Sequence, residues 1–135
     1  MGLMERTPVA ILGVIFILLG ILGFVSNPLI GANALFAAGI VHNLFHLTAG
    51  GILLAVSLRP SRNIILWLRL IGSGFFLLGL LGFLLVSPEG KSFLGLIETN
   101  DHTSWLHLIA GVILFASTLS DSAFAQTERS AYPRR

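Results

Sequence analysis

The chain has 135 residues, 55% of them hydrophobic and only 10% charged, with a mean hydropathy of +0.92 and a formal charge of +2. A soluble domain carries about 25% charged residues, so this composition cannot supply a water-facing surface, and lipid is the expected solvent. Cysteine is absent, which excludes disulfides, thiolate metal sites and cysteine nucleophiles. No basic stripe with interleaved aromatics is present to bind nucleic acid.

Four apolar runs follow in chain order: residues 9–25, 35–58, 64–86 and 103–119. A membrane-spanning helix needs about 20 mainly apolar residues, with roughly 17 to 25 sufficing, so all four qualify. Ser26-Asn27-Pro28 ends the first run, since proline cannot continue a helix. Arg59-Pro60-Ser61-Arg62 separates the second from the third, and Ser87-Pro88-Glu89-Gly90-Lys91 ends the third. The first run exceeds a signal-peptide core and no small-x-small cleavage site follows it, so it is expected to stay.

The expected divisions are a cytoplasmic N-terminus (1–8), a first transmembrane hairpin (9–58), a cytoplasmic linker (59–63), a second hairpin (64–119) and a polar cytoplasmic tail (120–135). Arg6, Arg59, Arg62, Arg129, Arg134 and Arg135 fall on one side of this layout, and the positive-inside rule makes that side cytoplasmic, with both termini there.

The strongest pattern is an internal repeat. Leu18-Leu19-Gly20-Ile21-Leu22-Gly23-Phe24 matches Leu77-Leu78-Gly79-Leu80-Leu81-Gly82-Phe83 at an offset of 59. His46-Leu47-Thr48-Ala49-Gly50 matches His107-Leu108-Ile109-Ala110-Gly111 at an offset of 61. Two helical hairpins that both start from the cytoplasm have parallel topology and are related by an axis along the membrane normal. The expected fold class is therefore all-α: an integral membrane four-helix bundle made of two parallel-topology hairpin repeats. Lipid offers helices no hydrophobic reason to associate, so close backbone contact must hold them. Gly13, Gly20 and Gly23, with Gly72, Gly79 and Gly82 in the second copy, are expected at such contacts, as are Gly50, Gly51 and Gly111.

The His42-Asn43-Leu44-Phe45-His46-Leu47 motif opens the second run, and Ser104-Trp105-Leu106-His107-Leu108 opens the fourth. These motifs resemble those of DUF 4383, a family of bacterial four-span membrane proteins. The likeness covers about residues 8–119. In that family the second motif begins with Asn, where this chain has Ser104. The resemblance implies four spans in a bacterial cell membrane and carries no activity with it.

Ionisable groups inside a membrane are costly and so are functional candidates. The candidates here are His42, Asn43, His46, His102 and His107, while Arg69 in the third run is expected to snorkel to the cytoplasmic headgroups; His42, Asn43, His46, Ser104 and His107 are expected to form one polar cluster in the outer leaflet. His42 and His46 share a helix face, and the repeat puts His46 and His107 at one depth. The leading reading is non-enzymatic: the cluster fixes the packing of the two hairpins in a structural or accessory subunit that self-associates or joins a membrane complex, with the bilayer as its other partner. The alternative is cofactor binding, either haem on His46 and His107 or a transition metal on the four histidines; against it, no nearby carboxylate is well placed to orient each imidazole, Glu98 and Asp101 being the candidates. A small transporter or proton relay is a third reading, although no acidic residue lies within the spans. No nucleophile with its base and oxyanion site is visible. Trp67 and Trp105 read as interfacial anchors, and Glu98, Asn100 and Asp101 as a solvated loop and helix cap.

Overall fold

The structure is a computed structural model and describes residues 3–58, 64–85, 92–93 and 97–131. The linker at 59–63, the break at Ser87 to Lys91 and the arginines at 59, 62, 134 and 135 lie outside the described residues.

Four helices make up the described chain: α1 (Leu3–Leu22), α2 (Ile40–Leu58), α3 (Ile64–Leu85) and α4 (Asp101–Ala131). Two short strands precede α4: β1 (Ser92–Phe93) and β2 (Ile97–Glu98), paired antiparallel. Helices α2, α3 and the Asp101–Leu119 part of α4 are long and apolar enough to cross a membrane, and α1 contributes the shorter apolar stretch Arg6–Leu22.

The burial pattern is inverted relative to a soluble bundle. Leu66, Leu70, Leu77 and Leu84 of α3 are exposed, while His42, Asn43, His46, Thr103, Ser104 and His107 are buried. Polar groups gather where other protein atoms satisfy them, and leucines face outward, as a lipid solvent requires.

Helix ends depart from the apolar runs in instructive ways. Helix α1 begins at Leu3 and takes Pro8 into its body, losing one backbone bond because proline has no N–H. It ends at Leu22, short of Pro28. The Asn27 amide donates to the carbonyls of Leu22 (2.8 Å) and Val25 (2.6 Å), while its Oδ1 accepts the N–H of Leu29 and of Ile30, both at 2.9 Å. One asparagine side chain thus both closes the helix and shapes the following turn. Helix α4 runs on through residues 120–131, where the composition suggests a polar tail.

The glycine contacts join α1 to α2 and α3 to α4. A Cβ added at Gly50 would meet Gly13 O at 2.7 Å and Ile17 N at 2.8 Å, and one at Gly111 would meet Phe76 N at 2.8 Å and Gly72 O at 2.9 Å. Any side chain there drives the backbones apart. Gly20 and Gly79 sit equally close to Leu47 and Leu108. Gly51 departs from expectation. It is exposed, and a Cβ added there would meet nothing within 4 Å, because one residue's step turns it about 100° from the face that Gly50 presents.

Between the pairs lies a core of Val9, Leu12, Phe16, Leu53, Leu68, Phe75 and Leu114. Phe16 and Phe75 stack at 4.4 Å between centroids, 10° from parallel.

Candidate metal centre

His42 and His46 lie one turn apart near the start of α2, so both side chains point the same way. His107 comes from α4. Each of the three is 1–2% exposed. His107 Nε2 lies 3.2 Å from His42 Nε2 and 3.1 Å from His46 Nε2. The three rings therefore aim the same nitrogen at one point, and one nitrogen from each falls within 4.8 Å of the others.

The orientation of His42 is fixed from outside the cluster. Its Nδ1 lies 2.7 Å from the backbone carbonyl of Glu98 in β2. A carbonyl only accepts, so Nδ1 carries the proton and Nε2 of the neutral ring keeps a lone pair. This is the arrangement that prepares histidine for metal: one nitrogen donates to a carbonyl while the other faces the ion. The orienting group is the main chain of Glu98, and not a carboxylate as the residue types suggest. The Glu98 side chain packs against Gly39, and its Oε2 is buried without a hydrogen-bond partner among the described residues. His46 Nδ1 is buried in the same state.

With His42 Nε2 an acceptor, only a proton on His107 Nε2 makes their 3.2 Å contact attractive, and that proton must then be divided between His42 and His46. Every other neutral assignment sets two lone pairs or two N–H protons face to face. A cation at the convergence point would use all three lone pairs at once. Neutral imidazole is a borderline donor suited to zinc, copper, nickel and iron.

The surrounding polar residues hold the loops over this point. Asn100 caps α4: its Oδ1 accepts the N–H of Thr103 at 3.0 Å, and its amide donates to Leu35 O at 2.9 Å. It thereby ties the two loops together. Thr103 is buried and its hydroxyl lies 3.2 Å from Ala37 O and 2.9 Å from Asn100 Oδ1. Asn43 donates to Gly23 O at 2.8 Å, across to the end of α1. Ser104 lies against Gly82, with its Oγ 3.4 Å from Thr99 Oγ1. Asn43 and Ser104 therefore brace the cluster without facing it.

His102 stands apart from the other three. It is exposed, with its ring edge-on to Phe36 at 6.5 Å. The four histidines expected from the sequence narrow to three. Trp67 and Trp105 are exposed, and Trp105 packs edge-on to Phe83 at 5.3 Å.

A family model described as a domain of unknown function (DUF4383) matches residues 6–119. No curated protein and no solved structure matches the chain.

Proposed function

The chain belongs to the family described as a domain of unknown function (DUF4383), and from that premise we propose a membrane protein that holds one first-row transition-metal ion on His42, His46 and His107. The observation that carries this reading is the convergence of three buried Nε2 atoms, with His107 Nε2 3.1–3.2 Å from the other two. Metal–nitrogen bonds of about 2.0–2.1 Å at tetrahedral angles place the ligand atoms roughly 3.3 Å apart, so the rings need little movement to bind. Zinc and copper are among the ions that suit an all-imidazole set. Three protein ligands leave a fourth position for water or another small ligand. The Glu98 carboxylate, packed one turn ahead of His42 against Gly39, offers charge compensation close to the site.

The same geometry weighs against haem. A porphyrin between His46 and His107 would need their nitrogens about 4 Å apart on opposite faces, whereas they lie 3.1 Å apart and converge. The packing role is retained within the metal reading, because ligation ties α2 to α4 and so joins the two helix pairs.

The proposal includes the membrane layout: α1 as a fourth span, two parallel hairpin repeats about an axis along the membrane normal, and both termini on the cytoplasmic side of a cell membrane. It is supported by the matched contacts of Gly13 with Gly50 and of Gly72 with Gly111, and by the stacking of Phe16 on Phe75, which the 59-residue offset makes equivalent. An impermeant thiol reagent should label Asn33→Cys only from outside the cell, and labelling from the cytoplasm alone would reverse the layout.

The test of the metal reading is elemental analysis of the purified protein with Co2+ and Cu2+ titrations followed optically. The expected result is one ion per chain, lost in His46→Ala and His107→Ala. Protein that binds none of these ions, and whose histidine variants lose only thermal stability, would return the cluster to a packing role.

A further inference from the structure

The two ends of the histidine cluster differ in kind. Toward the far end of the bundle, the next layer is the Phe16–Phe75 stack, with Phe16 5.1 Å from the His46 ring and Phe75 5.4 Å from the His107 ring. Beyond it are Leu53, Leu68 and Leu114, all fully buried. The buried polar side chains deeper still, among the described residues, are Ser57, Ser117 and Thr118, roughly 15–22 Å further along their helices. Each donates to a carbonyl of its own helix, Leu54, Ile113 and Phe115, at 2.8–2.9 Å. Each of these protons is committed to its own helix, the phenylalanine and leucine layers separate the three hydroxyls from the cluster, and no acidic residue lies between residues 40–58 or 64–85.

Toward the loop end the surroundings are polar. The Glu98 carbonyl touches His42, and Thr99, Thr103 and Ser104 are buried in a layer around it. A water-sized cavity lined by Leu78, Leu81, Gly82, Ile97, Thr99 and His107 reaches the cluster from this side. A cation shedding water needs oxygen partners at each step, because bare charge in an apolar medium is prohibitively costly. Only the loop end offers them among the described residues.

We propose that the centre is one-sided: a transition-metal cation reaches His42, His46 and His107 from the aqueous phase facing residues 23–39 and 97–100, past Thr99 and His107, and cannot leave through the Phe16–Phe75 floor. The site captures metal from one compartment and does not conduct it across the membrane. This rests on the metal reading above and adds direction to it.

The chain has no cysteine, so an Asn33→Cys thiol is unique and reports orientation. The purified full chain carrying it is placed in phosphatidylcholine vesicles, and an impermeant maleimide gives the fraction with the loop end outward. Co2+ added outside should fill that fraction alone, read from its visible absorption, and no Co2+ should appear in the lumen. Thr99→Leu, which fills the cavity and removes its hydroxyl, should slow filling several-fold with the final occupancy unchanged. Filling of molecules with the loop end inward, luminal Co2+ that depends on His46, or an unaltered rate in Thr99→Leu would each overturn the proposal. Absence of Co2+ binding in detergent would instead remove the metal reading itself, and the two failures are thus distinguishable.

Discussion

The α1–α2 and α3–α4 pairs meet the same task with different side chains, and the difference follows from where a helix stops. Helix α1 ends at Leu22, so the Gly23 carbonyl lies past the helix, and Asn43 reaches it at 2.8 Å. Helix α3 continues past the corresponding Gly82 to Leu85. There Ser104 stands in place of asparagine, and its hydroxyl's hydrogen-bond contact among the described residues is the Thr99 hydroxyl at 3.4 Å. A free carbonyl near lipid demands a donor, and a longer helix removes the demand. The smaller side chain at Ser104 fits that difference between the helix ends.

The same comparison accounts for three converging histidines rather than four. At the 61-residue offset, His42 corresponds to Thr103, which is buried beside the Ala37 carbonyl. His102 precedes that position by one residue, and about 100° of helical rotation turns it to the surface. The site is asymmetric because the second pair spends this position on holding the loop.

Four sets of measurements test the comparison. The largest effect belongs to the helix crossings, where both pairs should behave alike. Gly50→Val and Gly111→Val should each cost about 3 kcal/mol, the upper part of the overpacking range, because the obstacles are backbone atoms at 2.7–2.9 Å. Thermal unfolding in detergent measures this, and a tolerant site would show that its pair does not rely on close contact. Metal addition comes next. At about 100 times its dissociation constant, Zn2+ should stabilise the parent chain by about 2.7 kcal/mol and leave His107→Ala unmoved in the same assay. The caps should then differ between the pairs. Asn43→Ala should cost about 1 kcal/mol for the lost hydrogen bond and the carbonyl left behind, and Ser104→Ala about 0.5 kcal/mol or less, given its single long contact. Equal losses would refute the account of the helix ends. The smallest effect has the opposite sign. Gly51→Ala, into open space, should raise stability by about 0.5 kcal/mol through helix propensity, while Gly50→Ala lowers it.

Much of this was legible in the sequence, because the constraints responsible are local or periodic. Low charge and long apolar runs point to lipid, since hydrocarbon penalises each charge wherever it falls along a span. The repeated Gly-x-x-Gly and His-Leu-x-Ala-Gly blocks locate the helix contacts, since helical geometry fixes which residues share a face. His42 and His46 belong together by their spacing alone, and the repeat points from His46 to His107.

The tertiary structure decided the remainder. Whether His42 or His102 completes the group depends on rotation about a helix whose first residue the sequence does not define. That the orienting acceptor is the Glu98 main chain could not be read from residue types, because every residue carries a carbonyl and only the loop's path brings this one to His42. The convergence of three Nε2 atoms depends on the distance between α2 and α4, set by glycine contacts and phenylalanine packing in other parts of the bundle. Sequence thus specified that histidines recur at one depth in a lipid-facing bundle, and packing across the bundle decided that three of them meet.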